Sequence, residues 1–132
     1  MTAVGGSTAV GDTVPPLAVT TTRSLIVAGA LATRDYEDVH HDPDLARQRG
    51  TPDIYMSINN TNGFVLRYVT DWAGPAARVH RLATRLGVPN FPGDTLTLEG
   101  EVTAVDGDRV TVTVRGTTAR GTHVTSTVEL SR

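Results

Sequence analysis

In the last third of the chain, β-branched and polar residues alternate strictly, and this alternation restricts the fold more than any other feature. Val110, Val112 and Val114 are separated by Thr111 and Thr113; Val124, Ser126, Val128 and Leu130 are separated by Thr125, Thr127 and Glu129. Successive side chains of a strand point to opposite faces, so each run presents one buried face and one wet face. Strands of that kind belong to an antiparallel sheet with one side covered. The spacing predicts strands from Ala77 to Leu86, Thr95 to Val105, Arg109 to Arg115 and His123 to Leu130, with Leu96, Leu98 and Val102 on the covered face of the second. Asp106-Gly107-Asp108 is a hairpin turn between two of them.

What covers the sheet has to come from the first half. Leu17 to Thr21 is a short strand rich in β-branched residues, and Thr22 is placed to cap a helix from Arg23 to Thr33 whose apolar face is Leu25, Ala28, Leu31 and Ala32. Asp42-Pro43 starts a short helix that reaches Gln48, because Asp caps and Pro tolerates the first helical position. Residues 54–70 read as a longer buried helix, interrupted by Asn59-Asn60-Thr61-Asn62-Gly63 and ended by Ala73-Gly74-Pro75. Residues 1–16 are rich in Gly, Thr, Ser and Pro without periodicity, which predicts a flexible leader closed by Pro15-Pro16 and a single domain over 17–132. The order is α+β: a long antiparallel sheet wrapped around one central helix.

Composition removes several function classes. A chain of 132 residues buries only a modest core, so association with a second chain is expected. The net charge is -2, which offers no basic face to nucleic acid. There is no Cys, hence no disulfide and no thiolate metal site. The apolar runs are too short to span a bilayer and the N-terminus lacks the regions of a secretory signal, so a cytoplasmic location is expected.

Chemistry concentrates where the first helix ends. Asp35 and His40 stand five residues apart, and a carboxylate and an imidazole over one cavity can move protons to and from a substrate. The bland alternatives are a loop carboxylate and a surface histidine. His41 is expected to be structural or solvated, His80 and His123 to have no role, and Trp72 to pack in the core or an interface. His40, His41 and Asp42 do not make a metal site, since adjacent histidines in a turn rarely converge on one ion. Asn59, Asn60 and Asn62 either line a pocket or bond around a break in the helix; Arg34 either meets a phosphate or partner, or is solvated.

Asp35, Val39, His40 and Ala46 fit the pattern Gly-Asp-x-Asn-Pro-(Leu/Ile/Val)-His-x5-(Ala/Ser), with Arg34, Glu37 and Asp38 departing from it at the Gly, Asn and Pro. In this the chain resembles the MaoC-like, (R)-specific enoyl-CoA hydratases. Phe91-Pro92-Gly93-Asp94-Thr95-Leu96 is similar to the turn before a central strand of the hotdog fold of that family, and the resemblance covers residues 17–130. Arg67 to Pro75, Arg85 to Pro89 and Gly100 to Val105 resemble the small subunit of the heteromeric hydratase that actinobacteria use on the cholesterol side chain. The resemblance implies a hotdog fold, Asp35 and His40 as the catalytic pair, and water addition to a double bond conjugated to a steroid acyl-CoA thioester. It implies no cofactor, because CoA is part of the substrate. It also implies a second MaoC-like subunit fused to a zinc-containing OB-type domain, a dimer of heterodimers, and an aldolase that acts afterwards and would be reached through that partner. The family reads His-Gly-Met at the entry to the long helix, where backbone N–H groups would hold the thioester oxygen; Ile54-Tyr55-Met56 stands there in this chain, and Tyr55 and Met56, together with Asn60 from the asparagine stretch, are the candidate substrate-binding residues. The same resemblance leaves open a non-catalytic partner subunit and a (3R)-hydroxyacyl dehydratase subunit of fatty-acid metabolism. A thioesterase is disfavoured, because residues 56–68 carry no Asp or Glu.

Overall fold

The structure is a computed structural model that describes residues 8–131. Five strands, β1 (Thr13–Thr20), β2 (Arg78–Leu86), β3 (Thr95–Asp106), β4 (Arg109–Thr118) and β5 (Gly121–Ser131), form one antiparallel sheet in the order β1-β3-β4-β5-β2. Three α-helices, α1 (Arg23–Ala32), α2 (Pro43–Gln48) and α3 (Ile58–Ala73), and a 3-10 turn at Asp38–His40 complete the chain. The valine alternation does what its period requires. Val112 faces Val102 on β3 and Val128 on β5, and this row is fully buried. α3 lays Val65, Tyr68, Val69 and Trp72 onto it, so a sheet wraps one helix as the α+β reading predicts. Gly116 also faces inward; a Cβ there would come within 2.6 Å of Val124, so the position is left to its neighbours. The Tyr68 hydroxyl donates to the Val14 carbonyl and ties α3 to edge strand β1, and burial pushes this phenol up to about 12.

Four expectations need correction. The boundary at residue 16 falls inside β1. The strand starts at Thr13, and the Ala9–Asp12 turn is bonded to β3 through Gly11 N–H to Val102 O and Val102 N–H to Asp12 O. Pro15 and Pro16 are tolerated because β1 is an edge strand with a register shift between Val14 and Leu17. The rest of the expected leader, residues 1–7, lies outside the described residues. Second, the long helix is not interrupted and does not begin at Ile54. Ser57 caps it by accepting from Asn60 N–H, and the polar stretch Asn59–Gly63 forms its first turns. Asn60 and Thr61 are satisfied across the fold: the Asn60 amide donates to Leu25 O, and Thr61 Oγ1 meets His123 Nε2 at 2.8 Å. Third, α1 buries Ile26 and Ala30 while Leu31 is 53% exposed. Its facing residues are dictated by a second small core with Ala46, Ile54 and Met56, and by Gly29, where a Cβ would collide with the Asn60 amide. Fourth, β4 and β5 run on to a hairpin at Thr118 and Gly121, where the sequence carries no turn pair as plain as Asp-Gly.

α1 ends in a Schellman arrangement. Arg34 N–H donates to Leu31 O and Asp35 N–H to Ala30 O, with Arg34 at φ 57°, the left-handed conformation glycine adopts most readily. A side chain in that conformation costs roughly 1–2 kcal/mol, partly offset because glycine is freer in the unfolded chain. Arg34→Gly is therefore expected to raise stability by about 0.5–1 kcal/mol, read as a Tm increase of about 2–4 °C; an unchanged or lower Tm would refute the strain.

His123, expected to have no role, is 2% exposed and locks three elements together. Its Nδ1–H donates to Val88 O at 2.7 Å, so Nε2 is left to accept from the Thr61 hydroxyl. Burial holds this imidazole below its ordinary value. A histidine kept neutral in the fold contributes stability that is present above its unfolded value, about 6.5, and lost as pH falls through and below it. The fall in Tm between pH 7.5 and pH 5.5 should shrink in His123→Gln relative to the parent; an equal fall in both proteins would show that His123 does not supply it.

Candidate active site

Asp35 and His40 are brought together by three consecutive local structures. The Schellman end of α1 turns the chain at Arg34 and delivers Asp35. Asp35 Oδ1 accepts from Glu37 N–H, which starts the turn, and the 3-10 turn Asp38–His40 returns the imidazole over the carboxylate. His41, the adjacent histidine, points elsewhere: its Nε2–H donates to the Asp35 carbonyl at 2.7 Å, and its ring stacks on Tyr36. It fixes the backbone that carries Asp35, the structural part of the expectation for it. α2 follows, capped by Asp42, whose Oδ1 accepts from Asp44 and Leu45 N–H, and it seats the fully buried Ala46 against Ile26 and Ile54.

His40 Nε2 lies 3.6 Å from Asp35 Oδ2. The imidazole is 7% exposed, and the carboxylate remains open to solvent at 22% of its side chain. On the other side of the ring, His40 Nδ1 is 2.7 Å from the Tyr55 carbonyl. A carbonyl only accepts, so Nδ1 carries a proton; in the neutral ring the lone pair is then on Nε2, facing Asp35. In that form Nε2 and Asp35 Oδ2 are two acceptors across a gap longer than a hydrogen bond. A molecule with two O–H donors fits that arrangement, one donor to each.

Tyr55 borders the pair, and Met56 follows it in the chain. The Tyr55 ring stands edge-on to His40 at 5.1 Å and to Phe91 at 6.2 Å, forming a wall. Its N–H donates to Val39 O, and the Met56 N–H donates to Asn90 O. Both of these backbone N–H groups, expected as oxyanion donors, are thus occupied, because residues 54–56 are an extended segment bridging two loops rather than the first turn of α3. The Met56 side chain is 2% exposed and belongs to the small core. One residue further on, Ser57 is 1% exposed, and no described residue accepts from its N–H. That donor sits at the amino end of α3, where helix N–H groups are unpaired and the partial charge is positive. Its signal in the sequence is its place as N-cap, which is legible only once the helix start is moved to Ile58.

Asn60 clamps α1 to α3 and also lines a groove of about 210 Å³ between them, with Gly29, Ala32, Thr33, Phe64 and Arg67. Ala32 and Thr33 place one end of the groove just before Asp35. Asn62, two residues along α3, has a buried Oδ1 without a hydrogen-bond partner. Phe91, which the sequence marks only as part of a turn, completes the aromatic wall, with the Arg120 guanidinium 4.9 Å above its ring and paired to Asp94 at 3.0 Å. Among the described residues no group of three or more His, Asp or Glu is placed to hold a metal ion.

The MaoC like domain family matches this chain over residues 7–124. The beta subunit of 3-oxo-4,17-pregnadiene-20-carboxyl-CoA hydratase from Mycobacterium tuberculosis is 51% identical to it over 94% of this chain and 96% of its own length. The crystal structure of the ChsH1-ChsH2 complex from Mycobacterium tuberculosis contains a chain of the same shape, with a TM-score of 0.92 and 51% identity over 94% of this chain and 98% of that one. An (R)-hydratase from A. caviae involved in PHA biosynthesis superposes with a TM-score of 0.87 at 22% identity, over 96% of this chain and 98% of that one, and shows that the sheet and helix are those of the hotdog MaoC-type structures. With the family match running over residues 7–124 and a relative of near-equal length 51% identical, the chain belongs to the MaoC-like family.

Proposed function

We propose that this chain is the catalytic small subunit of an enoyl-CoA hydratase that adds water to the α,β double bond of a steroid side-chain thioester. The observation that carries the reading is the approach of His40 Nε2 to Asp35 Oδ2 at 3.6 Å, with a proton held on Nδ1 by the Tyr55 carbonyl. The relative of matching length is named a hydratase of 3-oxo-4,17-pregnadiene-20-carboxyl-CoA, and that substrate class is transferred here with it.

A water donating to both acceptors is polarised as its oxygen attacks the β-carbon. One of its protons passes to Nε2 or to the carboxylate, and the pair returns a proton to the α-carbon, so the net addition is one water. Negative charge collects on the thioester oxygen in between, and the Ser57 N–H at the start of α3 is the buried donor left to receive it. Asn60, Phe64 and the rest of the α1–α3 groove would take the acyl portion next to the reacting carbons. No cofactor enters these steps; CoA arrives as part of the substrate.

The chain would work with a second MaoC-like subunit; its relative of the same shape in Mycobacterium tuberculosis is found in the ChsH1-ChsH2 complex. The finer reading is that this partner carries a zinc-containing OB-type domain, that two heterodimers associate, and that an aldolase acts next. A cytoplasmic location goes with it; no described helix is long and apolar enough to cross a membrane.

Co-expression with the partner subunit and loss of the conjugated enoyl-thioester absorbance test the reading. Turnover of the steroid enoyl-CoA by the complex is expected, and turnover of crotonyl-CoA by this chain alone would instead indicate a general hydratase. Asp35→Asn and His40→Ala should each lower kcat by about 10²–10⁴-fold with the complex still assembled. Full activity in both variants would make the chain a non-catalytic subunit.

A further inference from the structure

We propose that Asn90 is a positioning residue for His40, acting through the peptide unit that joins Tyr55 to Met56; the proposal rests on the hydratase reading of the site. The carbonyl of that peptide unit accepts the His40 Nδ1–H at 2.7 Å, and its N–H donates to the Asn90 carbonyl at 3.0 Å. Imidazole, peptide and Asn90 carbonyl therefore form one chain of aligned hydrogen bonds. In such a chain each bond polarises the next: the Asn90 carbonyl draws on the Met56 N–H, increases negative charge on the Tyr55 oxygen, and strengthens its hold on the Nδ1 proton. The lone pair then stays on Nε2, where the substrate water is met.

The Asn90 carbonyl is itself aimed by a buried amide. Asn90 is fully buried, Thr21 beside it is 1% exposed, and the Thr21 hydroxyl donates to Asn90 Oδ1 at 3.0 Å. The amide Nδ2 reaches Met56 Sδ at 3.7 Å, on the far side of the same peptide unit. Thr21 is held in turn by its N–H to Asp94 O and by Gly93 N–H to its carbonyl. Burying an amide costs free energy unless it is bonded, and an apolar residue would fill this place at lower cost if packing alone mattered. The next residue, Phe91, puts its ring against Tyr55, so the same loop sets both the wall and the backbone of the site.

The test uses the full chain, co-purified with its partner subunit, and two independent lesions. Asn90→Leu removes the amide at similar volume. Thr21→Val removes only the hydroxyl that orients it, with Thr21→Ser as the conservative rescue. Nitrogen-15 spectra of the His40 ring report which nitrogen carries the proton, and this readout does not depend on turnover. Expected are a parent ring protonated on Nδ1, a mixture of tautomers in Asn90→Leu and Thr21→Val, a kcat reduced about tenfold in the first and less in the second with KM within about twofold, and parent behaviour in Thr21→Ser. A folded Asn90→Leu or Thr21→Val with the parent tautomer overturns the proposal, whether or not its Tm has fallen. If the parent complex hydrates no enoyl thioester, the hydratase reading fails, and the ring spectra still decide whether Asn90 sets the tautomer.

Discussion

The structure depends on the burial of α3 against a single sheet. One face of the sheet has to be covered, and α3 is the element long enough to cover it, with Val65, Tyr68, Val69 and Trp72 pressed on the Val102, Val112 and Val128 row. A helix enclosed in this way exposes its amino end to whatever the remaining chain can pack there. The remaining chain is α1, the 3-10 turn, α2 and the extended segment 54–57, and these form the second small core of Ile26, Ala46, Ile54 and Met56. The candidate site lies where the two cores meet, so its position follows from how the apolar residues are divided.

Within that junction the electrostatics are set by backbone more than by charge. The Tyr55 carbonyl fixes the His40 tautomer, the Asp35 carbonyl receives His41, and the Asn90 carbonyl receives Met56. Carbonyls cannot donate, so each bond has one direction only, and the ring nitrogens of His40 and His41 that meet them carry a proton. The arrangement leaves Nε2 and Asp35 Oδ2 facing each other while the backbone segments that carry them are held by bonds of their own. Preorganisation of this kind costs nothing at the moment of reaction.

The departures from the family pattern acquire different meanings in three dimensions. Arg34 replaces a glycine at a left-handed helix terminus, and among the described residues no ion pair engages its guanidinium. Asp38 replaces a proline and pairs with Arg49 at 3.1 Å, which links the 3-10 turn to the end of α2. Glu37 replaces an asparagine, and its backbone N–H caps the Asp35 carboxylate. The turn therefore survives the loss of its family residues, because its geometry is held by main-chain bonds that any side chain permits.

Much of the fold can be read from local pattern. The valine–threonine period marks the strands, Thr22 and Asp42 mark two helix starts, and the five-residue interval marks Asp35 and His40, since each of these is a short-range property of neighbouring residues. Local pattern misleads where a residue's partner is distant in sequence. Asn59 to Gly63 reads as a break because polar residues disfavour a buried helix, yet Leu25 and His123 satisfy Asn60 and Thr61. Pro15 and Pro16 read as the end of a leader because proline cannot donate, yet an edge strand does not require it to. Sequence alone determined the order of the main strands and helices, the antiparallel sheet and the interval between Asp35 and His40. Only the tertiary structure decided which N–H groups remain free, which histidine is locked, and that Asn90 stands behind His40, because hydrogen bonds between distant segments are settled by packing and leave no periodic trace in the chain.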